Sequence, residues 1–298
     1  MNMPLRKIMM LVPLAAGLVL TSCGGGGDEV TTGTDTLAKV DTMANKVPQV
    51  MIGMPDPAEM IDFIRMTSKD GSHSTAFLNP TSNVNGYVDD KSKALNFGIY
   101  SCDLDYLGIF DIGNATKEYL KVVKALGEDI GVSAAVSPNI LKRAEANVKN
   151  PDSLAAIADE IYLSASETLD ANGKGPTLAL VIAGGYIESL HIAANVMKYN
   201  PKNPAVSRFA DQKIDIDELI LFLKQYESDA GVADAIKQFQ DLLVLFNEIK
   251  EVPVVANPED AKKKHFIGGG TVLEMSQEQF TKISEKVKSI RNNFANIK

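Results

Sequence analysis

The sequence predicts an all-α protein, either an irregular multi-helix bundle or a stack of helical hairpins with about eight or nine helices. Three observations carry that reading. Beyond residue 36, apolar residues recur at steps of three, four and seven through most of the chain. Helix-start signals, a capping Asp, Ser or Asn followed by Pro, stand at Asp56-Pro57, Ser137-Pro138 and Asn150-Pro151. The links between periodic segments are short, which favours antiparallel neighbours. No fixed-period repeat of the tetratricopeptide or ankyrin kind is visible.

Taken in order, Leu37, Val40, Met43 and Val47 have helical spacing, and Pro48 ends them. Asp56-Pro57-Ala58-Glu59 opens the next helix, with Asp56 as cap and Glu59 as its reach-back partner. Ile61, Phe63 and Ile64 continue it and Gly71 closes it. A long helix is expected from about Asn85 to Phe110, with Val88, Leu95, Ile99, Cys102, Tyr106 and Phe110 as one apolar stripe. Another spans about Asn114 to Ile130. Ser137-Pro138 starts a helix bearing Ile140, Leu141, Ala144 and Val148, and Asn150-Pro151 both stops it and caps its successor. Leu178 to Ile187, within the helix from about Pro176 to Met197, is apolar or glycine throughout. Such a helix must be covered on most of its circumference, so it is central.

Asn200-Pro201 and Asn203-Pro204 punctuate the chain before an antiparallel pair, about Asp215 to Tyr226 and Gly231 to Lys250. The acidic residues Asp211, Asp215, Asp217 and Glu218 fit a helix start, where they interact favourably with the helix dipole. Val252 to Ala256 and Phe266 to Leu273 have strand-like composition around Gly268-Gly269-Gly270, which fits a short β-hairpin or an irregular loop. Ser276, with Gln279 as capping partner, starts the last helix, which runs to about Ala295.

Composition limits what the protein handles. Hydrophobic residues make up 45% of the 298 and charged residues 23%, enough for a sizeable core. The net charge is −8, and the first 22 residues hold two basic and no acidic side chains, so without them it is −10. Nucleic acid requires clustered Lys and Arg, so it is not an expected partner. There are two cysteines, Cys23 and Cys102. Cys102 reads as a small buried apolar residue.

The amino terminus indicates location. A basic pair, Arg6 and Lys7, precedes an apolar run from Ile8 to Leu20, too short to span a bilayer. It ends in Leu20-Thr21-Ser22-Cys23, which resembles the bacterial lipobox. The resemblance implies that Met1 to Ser22 are a removed signal peptide. It implies too that Cys23 becomes the acylated first residue of a membrane-anchored envelope lipoprotein. Several acyl chains make such an anchor effectively permanent. Gly24 to about Thr36 read as a flexible tether, and residues 37–298 as a single helical domain. Gly24 stands where an inner-membrane retention Asp would be in proteobacterial systems, which favours the outer membrane. With the Gly-rich start and Asn96-Phe97-Gly98-Ile99-Tyr100-Ser101-Cys102-Asp103-Leu104-Asp105-Tyr106, the chain resembles uncharacterised all-helical lipoproteins of Bacteroidetes-type bacteria. That likeness implies no particular activity.

Candidate site residues are few. On the central helix Gly184, Glu188, His191 and Asn195 step by four, three and four and so share one face. Their bland reading is a polar strip meeting solvent, with Gly184 and Gly185 admitting a close neighbour. Their functional reading is the floor of a ligand site formed by Tyr186, Glu188, His191 and Asn195. Glu188-x-x-His191 matches the unit di-iron bundles use twice, but no second Glu-x-x-His exists, so no metal site is expected. Asp170 to Gly175 places Lys174 where a calcium loop needs an oxygen and reads as a glycine-terminated helix end. Gly268-Gly269-Gly270 lacks the lysine of a phosphate loop, and Lys262-Lys263-Lys264-His265 reads as a solvated face. Asp103 and Asp105, two apart on a helix, do not share a face. No catalytic constellation and no cofactor is expected.

Two functions fit these residues. The first is a non-enzymatic binding or accessory protein for an envelope protein partner. It expects a filled core, Glu188 and His191 in water, and an exposed apolar patch elsewhere. The second is a small-ligand carrier, which expects an enclosed cavity beside the helix 176–197 with those two side chains facing inward.

Overall fold

The computed structural model of the chain describes residues 57–67, 74–253 and 271–295. The lipobox with Cys23, the tether, the helix expected at Leu37–Val47, His73, the Lys262–His265 run and the triple glycine lie outside the described residues. Nine α-helices and one two-stranded sheet are found among those described. They are α1 (Pro57–Thr67), α2 (Asp90–Ile109), α3 (Gly113–Ile130), α4 (Pro138–Ala146), α5 (Pro151–Ala171), α6 (Gly175–Val196), α7 (Pro204–Leu223), α8 (Ala230–Asn247), β1 (Lys250–Pro253), β2 (Thr271–Glu274) and α9 (Gln277–Phe294). The expected helical bundle with a short hairpin is what the chain forms. The strands pair antiparallel, with Val252 opposite Val272.

Several boundaries follow the expected caps. Ser137 accepts from the Ile140 amide, Asn150 from the Ser153 amide, and Ser276 with Gln279 forms the full capping box. Between α5 and α6, Gly173 turns the chain at φ 66°, as its place at a helix end requires. Other boundaries move. α2 begins only at Asp90, because Asp89 caps it through the Ser92 amide, and Val88, expected on the core stripe, is 80% exposed. α8 ends at Asn247, and Lys250 belongs to β1. α7 begins eleven residues earlier than expected: Asn203 caps it and Pro204 occupies its first turn. The acidic residues Asp211, Asp215, Asp217 and Glu218 therefore lie within α7, away from any helix start.

Two helices form the centre. α6 is long and apolar enough to cross a membrane by composition, yet 89% of its most apolar stretch is buried in the protein. Its main partner is α2, which also packs on α3 and α5. The α2–α6 approach is close because both helices carry glycine at the crossing. A Cβ on Gly98 would lie 2.1 Å from the Val181 carbonyl oxygen, and one on Gly184 would lie 2.0 Å from that of Leu95. On its α5 side, Gly108 of α2 meets the Ala155 amide in the same way, at 2.8 Å. α2 is not the one-striped helix its periodicity implies, since every residue from Ala94 to Ile109 is buried.

Candidate functional site

Residues 74–80 run as a non-helical strap across the centre of the bundle, and a polar face of α2 holds it there. Asn96, Tyr100, Asp103 and Tyr106 step by four, three and three, so they share that face. Tyr100 donates to the Pro80 carbonyl at 2.7 Å and Tyr106 to that of Ser74 at 3.1 Å. Asp103 Oδ2 accepts the Asn79 amide at 3.1 Å. The Asn79 side chain, fully buried, donates to Tyr87 and Asn96 and accepts from Asn83. Asn96 donates in turn to the Phe294 carbonyl at the end of α9. Where backbone outside helix or sheet is buried, as at Leu78 and Asn79, its amides and carbonyls must find partners. Here side chains of α2 supply several of them.

α6 and α9 hold the strap from the other side. Arg291 of α9 donates through Nε to Glu188 Oε2 at 2.7 Å and through Nη2 to Glu188 Oε1 at 3.2 Å. Its Nη2 also reaches the Phe77 carbonyl at 3.4 Å. The same carbonyl accepts from His191 Nε2 at 3.1 Å, so that nitrogen carries the proton and Nδ1 is left to accept. Asn195 donates to the His191 carbonyl at 2.8 Å and lies 3.4 Å from Nδ1. The bland expectation that this strip meets water is overturned for Glu188 and His191, while Asn195 at its end is exposed. Glu188 is 0% and His191 4% exposed, because α9 and the strap cover that face.

The charges balance within this cluster. Burial alone pulls the Arg291 guanidinium down, but the charge and hydrogen bonds of Glu188 and the charge of Asp103 outweigh it and raise it above its ordinary value. Asp103 is raised well above the carboxylate range, first by burial and then by the charge of Glu188. Its Oδ1 faces no donor among the described residues. Glu188 and Arg291 pair as one carboxylate with one guanidinium. His191 is lowered, mainly by burial with Arg291 adding to it, while Glu188 pulls the other way. The imidazole is neutral at neutral pH.

The expected site residues are only partly brought together. Glu188, His191 and Asn195 share the strap-facing side of α6, and Gly184 lies on it against α2. Tyr186 does not join them. Two residues from Glu188 it points about 200° round the helix, where it donates to Gln212 of α7 and packs on Phe239 of α8. The di-iron-like Glu188-x-x-His191 unit has its carboxylate held on both oxygens by Arg291. Cys102 is buried in α2, as expected.

Beside the cluster lies a cleft of about 470 Å³ bordered by the strap, α6 and α9. It is open to solvent, whereas the carrier reading expects an enclosed cavity. Phe77, Leu78, Pro80, His191, Lys288 and Arg291 are among its lining residues. A groove of about 270 Å³ continues from it along α6 and α9 and shares His191, Asn195 and Lys288. Sequence reasoning missed Arg291, Asp103 and Lys288. A signal for the first existed: Arg291 follows Phe280, Ile283 and Val287 at helical spacing, a charge placed on a core stripe. Compared with protein-family models, with curated proteins and with solved structures, the chain finds no match.

Proposed function

We propose that the protein is a lipid-anchored, non-enzymatic binding protein of a bacterial envelope, more in keeping with the outer membrane than the inner. Acylated Cys23 moors it, residues 24–36 space it from the bilayer, and the cleft between strap, α6 and α9 is its binding surface. One observation carries the binding role: the ionisable groups packed behind that cleft already satisfy one another. Glu188 is held on both oxygens by Arg291, and Asp103 accepts the Asn79 amide. Groups so engaged supply shape and fixed dipoles and have little capacity to move protons, which suits binding better than catalysis. The size, about 470 Å³, lies in the range of small-molecule sites.

A second reading, docking of an envelope protein partner, is favoured by a separate feature. Ile214 and Leu221, seven residues apart and so on one face of α7, are 60% and 64% exposed.

The anchoring part is tested by Cys23→Ser. The expected result is loss of acylation and accumulation of unprocessed precursor; normal processing and membrane retention of the variant would refute it. Crosslinking from a photoreactive residue at Asn292, within the cleft, against one at Leu221 in the native envelope then reports which surface is occupied.

A further inference from the structure

We infer that the cleft between the strap, α6 and α9 takes a small monocarboxylate with an apolar portion, its carboxylate held by Arg291 and Lys288. The inference deepens the binding role proposed above and rests on it.

The donors come first. Arg291 is 3% exposed, and its Nε and Nη2 are engaged by Glu188 and the Phe77 carbonyl. Its Nη1 has no partner among the described residues, although the residue lines the cleft. A guanidinium carries five donor hydrogens, so this almost fully buried Arg, which lines the cleft, keeps two donors unmatched among the described residues. Lys288, three residues earlier and therefore on the same side of α9, lines the cleft as well and makes no ion pair with a described carboxylate. Among the described residues no acidic side chain lines this cleft, and Glu285 lines the adjoining groove.

The amount of charge comes next. Arg291 is neutralised by Glu188, and His191 is uncharged, so Lys288 brings the one unbalanced positive charge. The site also lies toward the carboxyl ends of α6 and α9, where helix dipoles are negative. A dianion such as phosphate is a poor match for that field, and a single carboxylate is a good one. An ammonium would face Arg291 and Lys288 directly and is excluded. The opposite wall, Phe77, Leu78 and Pro80, is apolar and accommodates a short hydrocarbon portion.

The test uses the full-length chain and calorimetric titration with three probes: hexanoate, hexylamine and inorganic phosphate. Hexanoate is expected to bind, and to shift the His191 imidazole resonances; the other two are expected to bind at least tenfold more weakly or not at all. Lys288→Glu is expected to weaken hexanoate at least tenfold, and Lys288→Arg to restore it to within about threefold. Lys288 is exposed, so neither variant disturbs the core. An unchanged midpoint of chemical denaturation in the ligand-free variants verifies that. Phosphate or hexylamine binding as well as hexanoate, indifference to Lys288→Glu, or no hexanoate binding at all would each overturn the inference. The envelope-binding role is tested separately, at Cys23 and by native crosslinking, so the two failures are distinguishable.

Discussion

α2 and α6 are both buried nearly all round, yet they are built differently. α6 is hidden by being apolar: from Leu178 to Ile187 the Tyr186 hydroxyl is its one polar side-chain group. α2 is hidden although it carries Asn96, Tyr100, Asp103 and Tyr106, because a strap of backbone lies across those residues and needs their hydrogen bonds. The difference teaches that a helix can be central for two reasons. One is read from hydropathy; the other is read from polar residues at helical spacing that have buried partners elsewhere. Where the two helices cross, glycines set the distance. Where α6 leaves the apolar contact, at Glu188, it meets the polar system.

The comparison can be broken at its junction first. Arg291→Met leaves Glu188 buried without a partner, and a loss of about 3–5 kcal/mol in chemical denaturation is expected. Adding Glu188→Leu is expected to recover most of that loss, since an apolar pair in the same space is often as stable as the ion pair. If the double variant remained as unstable as Arg291→Met, the ion pair would be stabilising in itself.

The glycine contact is the next largest. Gly184→Ala drives a Cβ against the Leu95 carbonyl and is expected to cost about 1–3 kcal/mol or more. Gly173→Ala, at a position with open space and positive φ, serves as the contrast for strain without a clash.

Tyr100→Phe removes one stitch between α2 and the strap. It is expected to cost about 0.5–1.5 kcal/mol and to raise amide exchange in residues 76–80. The equivalent apolar trim on α6, Ile187→Val, is expected to cost a similar amount and leave the strap's exchange unchanged. Equal exchange in both variants would dissolve the distinction between the two helices.

Asp103→Asn is expected to act in the stabilising direction at neutral pH. The folded chain keeps a proton on Asp103 that the unfolded chain releases above about pH 3.9. Raising the pH from there toward the folded value therefore favours unfolding. The asparagine variant still accepts from the Asn79 amide and should lack that slope in denaturation measured from pH 3 to pH 8.

Much of the architecture was legible. Caps at Ser137, Asn150 and Ser276 and the apolar run of α6 located elements to within a residue or two. Gly184 was legible as a close-approach residue. The start of α7 is hard to read because Asn203-Pro204 follows Asn200-Pro201 as punctuation, although the same dipeptide chemistry opens α4 and α5. The site was half legible. Helical spacing brings Glu188, His191 and Asn195 together, but it cannot say what covers them. Glu188 meets Arg291 across 103 residues and His191 meets Phe77 across 114, and no local pattern encodes such distances. Tyr186 was grouped with them by proximity in sequence, against the 100° per residue that places it on another face.

The account depends on the strap being locked between α2, α6 and α9, and His191 reports that lock directly. With three histidines in the chain, nitrogen-detected imidazole spectra of the full-length protein, assigned with His73→Gln and His265→Gln, are simple to read. A neutral imidazole protonated on Nε2 is expected, with a titration midpoint depressed below the ordinary value of about 6.5. Stability should then fall as the pH drops through that ordinary value, because the unfolded histidine takes its proton first. An imidazole that titrates near 6.5, or one that carries its neutral proton on Nδ1, would contradict the seat assigned to the strap and the cleft built on it.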